Sequence, residues 1–452
     1  MERRQESERR GREIPIEILR DILVRLPTED VVRSSCVSKL WRRIVGDPSF
    51  RELHHADHVA APSESEALLV SEYRVPGRRD EVSFFNLSSG KAMCHVAIPS
   101  SYSLMNVCNG FICFALDYDQ APAVVCNPVT GETLELPEAP LIISEEEDRI
   151  DLSHLFVLGF SPHTREYKMF RLSSPSYIPY TDTNHKIYIA VYTLGGKGGW
   201  RQCSYLSQFC TSNRLPLPVH IDGHLYVPLE TRLSGERTAG MLVLDVATET
   251  HRMYRLPYDY CHDGYHESWE MLADGFELNG QMCLAVNVLR PRRNVQFWVM
   301  TPTDELEDKD DDKLFWDLRY CLDRGNDSFK FGTPRAAWLD NDQMLCYRHA
   351  EVLYKHDTRG YSSSSNDGTL SFDKKVELPR APYPSSSRYS SPTYRWNIYG
   401  GYRPSLLSPL TFAVPPSQGD KGKKRQFEHT LLGAITQSKR CIMGPAGRSA
   451  PR

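Results

Sequence analysis

The chain has 452 residues, 40% of them hydrophobic and 10% aromatic, and a formal net charge of -4 at pH 7. That length exceeds one ordinary domain unless the fold is built from repeats, and the apolar content suffices for a sizeable core. So small a net charge excludes a global field that would draw the chain to nucleic acid or a membrane surface, and neither partner is expected.

Residues 1–12 alternate Arg and Glu, a disordered charged start with no apolar stretch to act as a secretory signal. No run approaches the roughly 18 apolar residues of a membrane-spanning helix. Twelve cysteines are present. They form no C-x-x-C pair, and several sit in apolar runs, as Cys113 does in GFICFAL, Cys126 in AVVCNP and Cys283 in QMCLAV. Reduced, buried thiols of an intracellular protein, nuclear or cytoplasmic, are the expectation.

The stretch 14–45 predicts three short helices. Pro15 suits a first helical turn, and Ile14, Ile18 and Ile22 recur every four residues beside Leu19, Leu23 and Leu26. Pro27 stops that helix, and Thr28 is placed to cap the next, with Glu29 and Asp30 in its positive first turn. A third helix carries Leu40, Trp41, Ile44 and Val45 and ends near Gly46-Asp47-Pro48. About 35 residues make too small a core to stand alone, so part of this apolar surface needs a cover: a partner, or the domain that follows.

Ile14-Pro15, Arg25-Leu26-Pro27, Val37, Lys39, Trp41-Arg42 and the closing Asp47-Pro48-Ser49-Phe50 together resemble an F-box over residues 13–58. The resemblance implies docking on a Skp-type adaptor and, through it, on the cullin and RING subunits of an SCF ubiquitin ligase. It assigns the adaptor contact to Ile14, Pro15, Ile18, Leu19, Ile22, Leu26, Pro27, Val31 and Val32, with Val37 and Trp41 instead holding the helices together.

From about residue 65 the pattern changes to short apolar or alternating runs between turns, such as VSFFNL, GFICFAL, YKMFRL, KIYIAVYTL, MLVLDV and VQFWVM, which predict an all-β region. A turn dipeptide followed by an apolar strand recurs at Asn109-Gly110, Asp222-Gly223 and Asn279-Gly280, with a degenerate copy at Asn341-Asp342. Asn-Gly and Asp-Gly supply the positive φ angles of tight hairpins. Copies spaced by roughly 45 to 60 residues suit four-stranded propeller blades. The phrases CNGFICF, CNPVTGETLELP, VLGFSPHTREYKMFRL and LVLDVATETHRMYRLP, in this order, resemble the F-box-associated, kelch-like domains of plant F-box proteins. The fold expected is therefore α+β and multidomain: a three-helix F-box, then a propeller of six or seven blades over 65–380. Residues 381–452, rich in Ser, Pro and Tyr and then basic at Lys421 to Arg425, read as a low-complexity, partly disordered tail; the basic run is either a nuclear import signal or solubilising.

No catalytic constellation is recognisable. His54, His55 and His58 cluster, and in a helix His54 and His58 share a face, but no third ligand is evident at zinc spacing. The acidic runs 144–148 and 304–313 lack the alternation of a calcium loop. No Walker loop, dinucleotide fingerprint or nucleophile elbow occurs in a fitting context, so no cofactor, metal or catalytic residue is expected. Irregular insertions at 141–152, 173–185, 231–239, 258–269 and 303–313, two of them rich in Tyr and His, are the candidate surface for an unknown protein substrate. The function expected is a non-catalytic substrate receptor of a ubiquitin ligase. The alternatives are an adaptor-bound scaffold or regulator that does not promote ubiquitination of its partners, or a sugar-binding or enzymatic propeller in which the helices only cap.

Overall fold

The structure, a computed structural model, describes residues 14–60, 66–74, 80–87, 92–98, 102–116, 121–140, 152–175, 186–207, 217–233, 236–256, 274–288, 294–301, 314–323, 337–340, 344–349, 352–358, 374–375 and 393–413. Four helices open it where three were expected: α1 (Ile16–Val24), α2 (Thr28–Ser34), α3 (Lys39–Gly46) and α4 (Pro48–Ala60). The additional helix has a local cause. Asp47 Oδ1 accepts the backbone N–H groups of Ser49 and Phe50, at 2.8 and 3.3 Å, capping α4, while Pro48 takes its first position without losing a bonded N–H. Those hydrogen bonds, led by the one from the Ser49 side chain, hold the Asp47 carboxyl below its ordinary range.

Pro15 stands at the cap of α1 rather than within its first turn. Thr28 does not cap α2 either: Pro27 occupies that position, and the Thr28 hydroxyl donates instead to the carbonyl of Pro404, 2.9 Å away. The side chains of Leu19, Leu23, Val31, Ile44, Val45 and Phe50 close one small core between the helices, and Leu406 completes it.

Among the described residues the strands form six four-stranded antiparallel sheets. Five follow the chain: blade 2 (103–135), blade 3 (152–207), blade 4 (219–255), blade 5 (274–323) and blade 6 (337–375). Blade 1 takes its three outer strands from 66–98 and its innermost strand from Thr393–Tyr402. The innermost strands, Thr393–Tyr402, Ser103–Cys108, Leu152–Ser161, Val219–Ile221, Asp274–Leu278 and Ala337–Asp340, touch one another in cyclic order, so the ring is closed.

The repeated turns do what their chemistry dictates. Asn109-Gly110, Asp222-Gly223 and Asn279-Gly280 all have positive φ and join the first two strands of blades 2, 4 and 5, pairing Cys108 with Phe111, Ile221 with His224 and Leu278 with Gln281. Asn341-Asp342 lies outside the described residues. A second repeated turn joins the two outer strands: Asn127 Oδ1 accepts from Val129 N and Asp245 Oδ1 from Ala247 N, at 2.8 and 2.7 Å.

One boundary is corrected. The tail was expected to begin at residue 381, yet Thr393–Tyr402 is a ten-residue strand paired along its length with Glu66–Arg74, including Leu69 with Ile398 and Ser71 with Trp396. Trp396 and Ile398 are buried against Ala67, Leu69 and Phe85. The alternation of Tyr394, Trp396 and Ile398 is the period of a half-buried strand, and the surrounding Ser-Pro composition obscured it. The basic run Lys421 to Arg425 lies outside the described residues.

Candidate docking face and the junction behind it

The turn within α1 sorts its apolar residues onto two faces. Leu19 and Leu23, four apart, enter the helical core. Ile14, Ile18 and Ile22, also four apart, leave 53%, 50% and 46% of their surfaces in solvent. Ile16, Val32 and Val37 are exposed as well, and Pro15 and Pro27 are exposed at the ends of α1 and the start of α2. Scattered exposed aliphatics need no explanation, but here three isoleucines at a spacing of four form one exposed stripe that begins just before α1 and continues along it.

This distribution divides the residues the sequence assigned to adaptor contact. Ile14, Pro15, Ile18, Ile22, Pro27 and Val32 are exposed, and Leu26 is half-buried against the helical core. Leu19 and Val31 are buried within that core, so both are withdrawn from the exposed stripe. Val37, expected to bind the helices together, is among the most exposed apolar side chains, whereas Trp41 does pack on the core. Ile16 was missed. It sits between Ile14 and Ile18 in the chain and is exposed with them; a window read for one stripe only does not separate it.

Behind the stripe, the helices are seated on the hairpin turns of blades 2 and 3. Arg51 Nη1 lies 3.2 and 3.1 Å from the two carboxylate oxygens of Glu132, and its Nε donates to the carbonyl of Val45 at 3.1 Å. Val129, in the turn before Glu132, packs on the helical core. His54 is fully buried and its Nε2 is 3.0 Å from the carbonyl of Leu26, which must accept; Nδ1 has no hydrogen-bond partner among the described residues. His55 Nε2 is 3.3 Å from the Tyr167 hydroxyl and Nδ1 is 3.0 Å from Ser405 Oγ. Burial pushes both imidazoles down to about 4, with their histidine neighbours adding in the same direction, so both rings are neutral at pH 7. The rings of His54 and His58 stand 4.0 Å apart between centroids. Among the described residues, no group of three His, Cys, Asp or Glu side chains could hold a metal ion.

Strand direction separates the two faces of the ring. In each blade the first-to-second and third-to-fourth strand turns share the face that carries the helices, as Gly110, Val129 and Tyr167 show by their contacts. The second-to-third connections and the crossings between blades leave from the opposite face. The strand ends flanking the insertions 141–152, 173–185 and 258–269 are therefore at the face away from the helices, and so is 231–239, which is a regular hairpin rather than the irregular insertion expected: Thr231 pairs with Thr238 and Arg232 with Arg237. Those flanking 303–313, Met300 and Trp316, are at the helical face. Most residues of these insertions, and both acidic runs, lie outside the described residues.

A helical module exposing one isoleucine stripe is mounted on the hairpin face of a closed β ring, and none of the described helices is long and apolar enough to cross a membrane. Residues 12–53 match the F-box domain and residues 75–311 match the F-box associated beta propeller domain. The chain belongs to the F-box proteins that carry this propeller. It is 29% identical to F-box protein At1g53790 of Arabidopsis thaliana over 48% of this chain and 47% of that protein. It is 27% identical to F-box protein At5g65850 of the same plant, over 56% of this chain and 59% of that one. The chain thus spans about half the length of these relatives. A longer match, to F-box protein At5g10340, covers 75% of this chain and 78% of that protein at 26% identity.

Proposed function

We propose that the chain is the substrate-recognition subunit of an SCF-type ubiquitin ligase. The observation that carries this reading is the exposed Ile14–Ile18–Ile22 stripe, which starts just before the cap of α1 and continues along that helix, in a segment that matches the F-box domain. In this reading Ile14, Pro15, Ile18, Ile22, Pro27 and Val32, with Ile16 beside them, meet a Skp-type adaptor, which brings the cullin and RING subunits. The face of the ring away from the helices takes the protein substrate. The chain contributes no nucleophile; it acts by holding substrate lysines near the charged conjugating enzyme, which raises their effective concentration. Nucleus and cytoplasm are both compatible sites of action.

The test is capture of a purified Skp-type adaptor by the full chain. Changing Ile18 and Ile22 together to Asp is expected to abolish capture while the circular dichroism of the propeller is unchanged. Undiminished capture would overturn the docking assignment. Transfer of ubiquitin to co-captured proteins in a reconstituted complex tests the receptor role separately; capture of adaptor without any transfer would refute that role.

A further inference from the structure

Residues 403–413 follow the ring-closing strand directly and run between the helices and the ring. Neither family match reaches them, since one ends at residue 53 and the other at residue 311. Their bonds alternate between the two modules. The carbonyl of Pro404 accepts from Thr28 of α2. Ser405 Oγ meets His55 of α4, while the Ser405 and Leu407 carbonyls accept from the buried Asn127 amide of blade 2, at 2.8 and 2.7 Å. Leu406 enters the helical core and Leu407, one residue on, enters the core of the ring. Phe412 ends the segment against Phe111 and Tyr167. Gly110 is fitted to it: a Cβ there would stand 2.6 Å from Ser405 Cβ and 2.7 Å from the Arg403 carbonyl.

We infer that 403–413 is a positioning strap that makes seating of the helices depend on closure of the ring. The reasoning is topological. The strap is placed only when Thr393–Tyr402 has zipped onto Glu66–Arg74, because Tyr402 is both the last residue of that strand and the residue before the strap. Without the strap the helical core loses Leu406, a fully enclosed aliphatic, and α2 and α4 lose one hydrogen bond each to it. So small a core has no surplus with which to absorb that loss. The consequence is that the exposed isoleucine stripe is held in one orientation relative to the ring by residues from the far end of the chain. This holds whether or not the stripe binds a Skp-type adaptor.

Hydrogen exchange on the full chain, read peptide by peptide, tests this. Leu406→Ala is expected to raise exchange in α1 and α4 at least tenfold while blades 4 and 5 keep wild-type protection, and Leu406→Met is expected to restore it. Trp396→Ala, which loosens the closing strand and touches no helix, is expected to raise exchange in the helices as well as in Thr393–Tyr402. Two results overturn the inference: helices that keep wild-type protection in Trp396→Ala while Thr393–Tyr402 exchanges fast, or a uniform rise across helices and all blades in Leu406→Ala. If Leu406→Ala fails to fold, the conservative Leu406→Val decides, since it must loosen α1 and α4 more than blade 5.

Discussion

His55 of α4 and Ser405 of the strap, 350 residues apart in the chain, stand 3.0 Å apart at the point where helices and ring meet. The Tyr167 hydroxyl also reaches the carbonyl of Asn109 at 3.4 Å, and Ser405 Oγ accepts from the Leu407 N–H at 3.1 Å, so both ring nitrogens of His55 are engaged by groups that have partners of their own. One neutral imidazole thus joins a helix, the third blade and the C-terminal strap, and its neutrality follows from its burial.

That neutrality makes the junction acid-sensitive. The His55 imidazole titrates near 4 when folded and near 6.5 when unfolded, and His54 and His220 share the direction. The depressed folded value means that the unfolded chain takes up protons first. Stability is therefore full above pH 6.5 and is lost as pH falls toward 4, by up to about 3 kcal/mol per ring. Urea midpoints measured from pH 7.5 to pH 5 are expected to fall, and to fall less steeply in His55→Asn. Identical slopes in the two proteins would remove His55 from the account.

Asn127 is expected to be the costliest single polar residue at the junction. Its amide donates to two strap carbonyls and its Oδ1 accepts from the turn N–H of Val129, all in a fully buried position. Truncation to Ala leaves these groups unpaired away from water, a loss of about 2–4 kcal/mol. Asn127→Asp is expected to be worse, because it turns two donors toward the carbonyls into an anion. Chemical denaturation of the two variants measures both; a cost within 0.5 kcal/mol of zero in Asn127→Ala would contradict the burial argument.

How much of this was legible depended on how local the signal was. The Asn-Gly and Asp-Gly turns carry their own backbone conformation, so Asn109, Asp222 and Asn279 announced their hairpins. The isoleucine stripe of α1 was equally plain. Its division into core and surface was not, because Leu19 and Val31 share one core with Phe50 and Leu406, residues whose arrival there no local periodicity encodes. The strap itself has no period at all. It sits behind a Ser-Pro-Tyr stretch whose composition resembles a tail, and only the alternation of Trp396 and Ile398 distinguishes the strand before it.

The Arg51–Glu132 pair should behave as a semi-buried bond between modules. The side chains are 21% and 29% exposed, the guanidinium reaches both carboxylate oxygens, and Arg51 also donates to the Val45 carbonyl. A double-mutant cycle with Arg51→Ala and Glu132→Ala is expected to give a coupling of about 1 kcal/mol, weakened by salt. The Arg51 single variant should cost more than Glu132→Ala, since it also frees a carbonyl. A coupling indistinguishable from zero at low salt would reduce the pair to a surface contact.

The sharpest contrast lies within one turn of α1. Leu19 and Leu23 face the helical core and Ile18 and Ile22 face solvent, although all four are large aliphatics in consecutive turns. Removing core methylenes costs the transfer energy and the cavity left behind, so Leu23→Ala is expected to destabilise the helices by about 2–5 kcal/mol. Ile22→Ala removes little from the folded core, and Ala is the better helix former, so its effect is expected within about 0.5 kcal/mol of zero. Adaptor capture should invert this order: Ile22→Ala weakens it directly, whereas Leu19→Met, which keeps core volume, leaves it unchanged. Measuring stability and capture on the same three variants separates a docking residue from a core residue. If Ile22→Ala instead destabilised the helices as much as Leu23→Ala, the isoleucine stripe would belong to the core and the exposed face would have to be sought elsewhere.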